Sequence, residues 1–280
     1  MTDKIKLNDQ EIRSFRSTVY DYYHSHGRNL PWRNINDPYK ILVSEIMLQQ
    51  TQVSRVIEKF PQFIDVFPDI QSLDRATLTE VLEVWQGLGY NRRVLTLKKT
   101  ARMVMKDFNG IIPSSYDDLL SLPGIGRSTA AAILAFAFNI SFPFIETNIR
   151  SVFIHFFFHE STNIRDSEIL PLVEQTLDKN DPRNWYYALM DYGVMLKTRL
   201  PNPGARSAHY MKQSPFKNSD REIRGKILRI LTRKPDIPES KLIDEMAAEP
   251  GRVKKILFQL EKEGFIKRIN GLLLIRDTPV

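Results

Sequence analysis

"LPGIGRSTAAAILAFAF", residues 122–138, decides how the rest of the chain reads. Its first five residues hold two glycines, Gly124 and Gly126, around the apolar Ile125. Glycine permits tight backbone turns and the close approach of a ligand. From Arg127 onward the sequence is an Ala-rich apolar helix, expected to be central and buried. Leu119 and Leu120, just upstream in "SSYDDLLSLPG", anchor a preceding helix. Two helices thus flank a glycine turn near residues 115–138. The turn leads into a helix N-terminus, where N–H groups favour an anion such as phosphate. A glycine-rich turn is also a common joint between two helices, and the bare pattern does not separate the two readings.

Helical periodicity extends outward in both directions. "EIRSFRSTVYDYYHSH" is a first helix ending at Gly27, and "NINDPYKILVSEIMLQQ" starts another with Asp37 as N-cap and Pro38 at the first helical position. Further helices follow, joined by Pro, Gly and Asn clusters, and no stretch before residue 265 alternates over strand length. Residues 1–200 therefore read as an all-helical region. Residues 201–218, with three prolines and one glycine, read as a loop or linker. In residues 219–280, helices are expected at 220–233, 238–247 and 250–263, followed by two short strands around Asn270-Gly271, a hairpin signal. Three helices and a two-stranded wing make a winged-helix-like domain, and the fold class is mainly α. The third of these helices carries Arg252, Lys254 and Lys255 and is the one such domains often place in the major groove. Packing on the main domain, or binding another protein, is the alternative use.

At 280 residues the chain has room for about two domains. No apolar run reaches the roughly 18 residues of a membrane span, and the polar N-terminus lacks a signal peptide's apolar core, so a cytoplasmic or nuclear location is expected. With no cysteine, disulfides, thiolate nucleophiles and cysteine-held metals are excluded, and five histidines without zinc spacing argue against a zinc site. The net charge is +7, and residues 217–280 carry 15 Lys and Arg against 10 Asp and Glu. A basic module of this kind fits a polyanionic partner, nucleic acid above all, or else a solvated surface.

Two glutamates stand at the edge of apolar segments. Glu45, in "ILVSEIMLQQTQV", shares a helical face with Ile41, Leu42 and Leu48. Desolvation there would raise its pKa and make it a general acid, unless it sits exposed at the edge of the stripe. Glu146, in "FPFIETNIRSV", precedes Thr147 and Asn148, both good capping residues. The helix dipole favours its ionised form, whether as a first-turn acid or as a catalytic anion. An acid paired with an anion is what cleavage of a glycosidic bond requires.

"LPWR" (30–33), "DPYKILVSEIMLQQTQV" (37–53), "GLGYNRRVLTL" (87–97), "LPGIGRSTAAAILAFAF" (122–138), "ETNIRSV" (146–152) and "MDYGVMLKTR" (190–199) occur in one order and spacing. Over roughly residues 10–215 the chain resembles the helix-hairpin-helix base-excision DNA glycosylases, adenine DNA glycosylases in particular. The resemblance implies that Glu45 protonates the departing purine and Glu146 is the catalytic anion. It implies that Gln50, with Gln49 and Thr51, wedges into the duplex and that Tyr90 intercalates. It assigns Gly124, Ile125, Gly126 and Ser128 to a hairpin that grips phosphate, often through a monovalent cation. Trp32, Arg33, Tyr187 and Asn148 fall in the implied base pocket. Ser128 stands where bifunctional relatives carry a catalytic lysine, so lyase activity should be weak or absent.

Four departures accompany the likeness. Glu146 replaces the superfamily's aspartate. Lys197, Gly204, Ser207 and Gln213 fill the slots of the four cysteines, C-x6-C-x2-C-x5-C, that hold a [4Fe–4S] cluster in relatives, so no cluster is expected. Tyr187 stands where adenine-specific relatives have Gln or Glu. The tail reads as a winged helix where a Nudix-like domain is usual. The implied function is a monofunctional glycosylase, acting as a monomer on double-stranded DNA that contains a mispaired or damaged base. Adenine in a mismatch is the first substrate, with thymine, uracil or hypoxanthine as alternatives. A non-catalytic lesion sensor or regulator is the reading from another class.

Overall fold

The structure, a computed structural model, describes residues 5–212 and 215–277 and falls into two units. One comprises Met1–Ile41, Ser114–Leu120 and Ile125–Lys212, the other Leu42–Pro113, Ser121–Gly124 and Gln213–Val280.

In the first unit, α1 (Asp9–His26) starts at a capping box: the Asn8 side chain accepts from the Glu11 amide, and the Glu11 carboxylate accepts from the Asn8 amide. Helix α2 (Pro38–Leu48) begins here, with Asp37 Oδ1 accepting from the amides of Tyr39 and Lys40 at 2.9 and 3.3 Å. Then come α7 (Tyr116–Ser121), α8 (Arg127–Phe138), α9 (Thr147–Phe157), α10 (Asp166–Thr176), α11 (Pro182–Arg199) and a 3-10 turn at Pro203–Arg206. All residues of α8 from Ala130 to Ala137 are buried. Helix α11 packs on α1, α8 and α9, while α10 packs on α1 and α9. The core between them is aromatic: Phe15 of α1 meets Phe153 of α9 and Trp185 of α11 edge-on, at 5.4 and 5.7 Å between ring centres.

The second unit holds α3 (Val53–Val66), α4 (Ile70–Arg75), α5 (Leu78–Trp85) and α6 (Arg92–Asp107). With them are α12 (Asp220–Arg233), β1 (Ile237–Pro238), α13 (Glu239–Asp244), α14 (Pro250–Glu263), β2 (Ile266–Ile269) and β3 (Leu272–Ile275). Helix α5 packs against α3, α6 and α12. The strands form an antiparallel sheet in the order β1-β3-β2, pairing Ile266 with Ile275 and Ile237 with Leu273. The wing is therefore three-stranded, not two-stranded, and one strand precedes residue 265. Two residues are too few to show alternation, so β1 leaves no period-2 signal in the sequence. The β2–β3 turn has positive φ at both Asn270 (50°) and Gly271 (77°), as a two-residue hairpin requires. Among the described residues no helix is long and apolar enough to cross a membrane.

Candidate nucleic-acid interface and catalytic residues

Helix α7, the glycine turn and α8 follow one another without a break. Gly124 has φ +73°, and a Cβ there would lie 1.9 Å from Thr96 Cγ2 of α6, so only glycine fits. Thr100 of the same helix donates its hydroxyl to the Pro123 carbonyl at 2.8 Å, fixing the turn against α6. Ile125 is buried, whereas Gly124, Gly126 and Ser128 are exposed. Gly126 caps α8 without a side-chain acceptor. Ser128 donates to the Ile145 carbonyl at 3.2 Å.

In the second unit the segments 49–51 and 87–93 meet on one buried side chain that sequence reasoning passed over. Arg93 donates from one terminal nitrogen to the carbonyls of Ile46, Met47 and Gln49 at 2.7–2.9 Å. Its other terminal nitrogen reaches Thr51 Oγ1 at 2.9 Å and the carbonyls of Leu88 and Gly89 at 3.3 and 3.0 Å. Gln50 and Tyr90, the two residues placed beside the lesion by resemblance, both have positive φ, 54° and 47°. Such backbone costs about 1–3 kcal/mol and persists only where the surroundings over-determine it; Arg93 supplies that constraint from both sides. Tyr90 also lies under the guanidinium of Arg221 from α12, 5.2 Å from the ring centre, and accepts a hydrogen bond from it at its hydroxyl. Glu45, on α2, is half-buried, with Leu42 and Ile46 buried beside it.

In the first unit Glu146 is itself the N-cap of α9. The backbone at Glu146 is extended (φ −121°, ψ 179°), and its Oε1 accepts from the amides of Asn148 and Ile149 at 2.7 and 2.8 Å. Oε2 accepts from Asn148 Nδ2 at 3.3 Å. Burial pushes this carboxyl above the ordinary glutamate range, against the opposing pull of the Ile149 amide, the Lys197 cation, the Asn148 amide and Arg150. The helix dipole alone would favour the ionised form, but desolvation outweighs the two amides and two cations here.

Of the implied base-pocket residues, Trp32, Arg33 and Tyr187 are buried and Asn148 half-buried. Tyr187 lies flat on Phe136 at 4.5 Å, with the Arg33 guanidinium 4.6 Å above its ring. Arg33 forms a two-pronged pair with Asp191 at 2.7 Å, and Arg28 Nε reaches the same carboxylate at 2.6 Å. Burial pushes the Asp191 carboxyl up, but these hydrogen bonds and charges outweigh it and hold it below the ordinary range.

The cluster slots do not fit an iron–sulfur group. Lys197 Nζ donates to Asn148 Oδ1 at 2.9 Å, a Cβ on Gly204 would lie 2.8 Å from Ser151 Oγ, and Ser207 Oγ donates to the Ile164 carbonyl. Gln213 lies outside the described residues. The loop is held by another device: Arg206 donates to the carbonyls of Ile154, Phe158, His159 and Ser161 at the end of α9. Among the described residues no group of acidic, His or Cys side chains is arranged to hold a metal ion.

On α14, Lys254 and Lys255 are exposed, with Phe258 exposed one turn further on. Arg252 is already engaged, by Asp220 at 2.6 Å and by the Asn218 carbonyl at 2.8 Å.

These elements define a helix-hairpin-helix protein with a winged helix at its C-terminal end. The profile of the HhH-GPD superfamily base excision DNA repair proteins matches residues 43–175, and that of the winged helix-turn-helix DNA-binding domains matches residues 220–267. An adenine DNA glycosylase of Mycolicibacterium smegmatis is 33% identical over 232 residues, 76% of this chain and 78% of its own. One from Buchnera aphidicola subsp. Baizongia pistaciae is 41% identical over 187 residues, 65% of this chain and 52% of its own. This chain belongs to the HhH-GPD superfamily of base excision DNA repair proteins. It spans about half the length of several of the relatives it matches. A thermostable thymine-DNA glycosylase shares the fold, with TM-score 0.63 and 24% identity over 70% of this chain and 91% of that one. So does an endonuclease III in complex with DNA, with TM-score 0.59 and 18% identity over the same shares.

Proposed function

We propose that this chain is a monofunctional DNA glycosylase of base-excision repair that releases adenine from a mismatch. Its likeness to adenine DNA glycosylases supports the reaction class. The observation that carries the mechanism is the Glu146 carboxylate, which Oε1 anchors to the first amides of α9 while Oε2 meets only a side-chain donor. Glu45 donates a proton to the leaving base as the N-glycosidic bond breaks. Glu146 stabilises the oxocarbenium-like sugar cation, and water adds to the sugar carbon and gives up its proton. Ser128 has no amine, so the product is an abasic site and not an imine.

Flipping a base costs a few kcal/mol and is cheapest at a mispair, so selectivity begins there. Gln50, flanked by Gln49 and Thr51, fills the gap, Tyr90 intercalates, and the turn at Gly124, Ile125 and Gly126 holds the backbone. A monovalent cation there would be held by the turn's backbone carbonyls and would add charge against phosphate. Lys254 and Lys255 contact phosphates from the winged helix. The enzyme acts as a monomer on nucleoid or nuclear DNA.

Tyr187 favours a second reading for the base alone. Its ring is packed between Phe136 and Arg33, without the amide or carboxylate that adenine-specific relatives offer, which fits excision of thymine, uracil or hypoxanthine. A screen of defined mispairs, each strand labelled and treated with hot alkali after incubation, decides between them. Strand breaks at adenine are expected. Breaks only at another base establish the second reading, and none at any mispair or damaged base overturns both.

A further inference from the structure

We propose that Lys197 is a positioning residue for Glu146, acting through Asn148 to orient and hold the carboxylate that faces the sugar. The inference rests on the reading of Glu146 as the catalytic anion. Lysine has donors only, so the atom of Asn148 that meets Nζ at 2.9 Å must be Oδ1. The Asn148 amide then has to turn Nδ2 towards Glu146 Oε2, 3.3 Å away. With Oε1 taken by two backbone amides, this donor is what sets the direction of the second oxygen.

The helices are built for this approach. Gly193 of α11 faces Asn148 so closely that a Cβ would lie 2.5 Å from the Asn148 carbonyl oxygen and 2.7 Å from its Cβ. Lys197 is one turn further along α11 and therefore lies on the same side. A half-buried cation beside a helix N-terminus is unfavourable by desolvation and by the dipole. The Glu146 charge offsets both. The other charged groups around Glu146 are Arg150 of α9 and, paired to it at 2.7 Å, Asp166 of α10. Arg150 is already neutralised, which leaves Lys197 as the cation committed to Glu146. The slot from which relatives bind iron is here used to hold an anion.

Two measurements test this. In the DNA-free protein, the carboxyl carbon of Glu146, assigned by its absence in Glu146→Gln, is titrated by NMR. Its midpoint should rise in Lys197→Met and return in Lys197→Arg. On a mispaired duplex, Lys197→Met should slow single-turnover base release by ~10-fold or more on the acid limb. DNA affinity should be unchanged, Lys197→Arg should restore most of the rate, and Lys197→Met should add nothing in a Glu146→Gln background. An unmoved titration overturns the proposal whether or not the protein releases a base. So does equal slowing in both backgrounds, which would mean only structural damage. A wild-type protein inactive on every duplex defeats the glycosylase reading but leaves the titration to decide Lys197's role.

Discussion

Changing Glu146 to Gln separates a capping role from a catalytic one, because the two roles differ in magnitude. The glutamine carbonyl can still accept from the Asn148 and Ile149 amides that now bind Oε1. Its NH2 group, however, would face Asn148 Nδ2, donor against donor, and Asn148 cannot turn over while Lys197 holds its Oδ1. One hydrogen bond is lost, about 0.5–1.5 kcal/mol, with a dipole interaction of about 0.3–1 kcal/mol. Removing a desolvated charge returns part of this, so the folded state should lose no more than ~2 kcal/mol. Rate should fall much further, because removing charge stabilisation from a site sheltered from water costs ~10²–10³. Glu146→Asp keeps the charge, and aspartate is among the best N-caps. It should fold normally and release base faster than the Gln variant, even if a carboxylate moved by ~1 Å costs up to ~10²-fold. The assay is single-turnover base release with enzyme in excess, alongside urea unfolding of each variant. A Gln variant near the wild-type rate would reduce Glu146 to a cap. Asp191 would then be a poor substitute, since Arg28 and Arg33 already engage both its oxygens.

Four further outcomes are expected. Lys254→Ala and Lys255→Ala should each flatten the log–log salt dependence of DNA binding by about one. Arg252→Ala should change it less, because a phosphate must displace Asp220; equal slopes for all three would refute this ranking. The product strand should break only after hot alkali, and borohydride should trap no covalent complex, since Ser128 cannot form an imine. Arg93→Met leaves carbonyls of two segments without their donor, and urea unfolding should report a loss of ~1–3 kcal/mol; a loss well under ~1 kcal/mol would show that water replaces it. Finally, burial raises the Glu146 carboxyl, so the anion is lost as pH falls before an ordinary glutamate would protonate. The acid limb of base release should therefore lie above about pH 4.3. Between the ordinary and the raised value the folded state binds this proton more tightly than the unfolded chain. The group's contribution to stability thus falls as pH rises through that window, and the dependence should disappear in Glu146→Gln.

What the sequence made legible is what local rules determine. Asp37 caps α2 because its short side chain reaches the next amides, and Asn270-Gly271 turns the wing because both residues tolerate positive φ. At Glu146 the sequence left a cap and a catalytic anion both open, because glutamate is not among the residues preferred at an N-cap. The extended backbone at 146 brings its longer side chain over the two amides. Arg93 was missed for a different reason. In "NRRVLTL" it reads as surface charge, and only the folding together of residues 46–51 and 87–90 supplies the carbonyls it serves. Lys197 was visible only as a missing cysteine, because its partner Asn148 is 49 residues away in sequence. Strand β1 is shorter than any period that could reveal it.

A chain without cysteine can still hold the Glu146 carboxylate in place, for a specific physical reason. The helix that presents Glu146 is held at both ends by charges that its dipole favours. At the N-terminus of α9 the anion itself binds two amides. At the C-terminus Arg206 binds the carbonyls of Ile154, Phe158 and His159, where a cation is favoured. Arg206 is the last residue of the 3-10 turn, whose start is fixed by Asn202 accepting from the Gly204 amide at 3.0 Å. The next residue, Ser207, pairs with Ile164. Hydrogen bonds to a charged group contribute about 1.5–3 kcal/mol each, and several converge on this one guanidinium. The segment from Lys197 to Arg206 thus closes one end of α9 through Arg206 and reaches the other through Lys197 and Asn148. Since none of these contacts involves a thiolate, the position of the Glu146 carboxylate does not depend on a metal, and the missing cysteines are no argument for a silent protein.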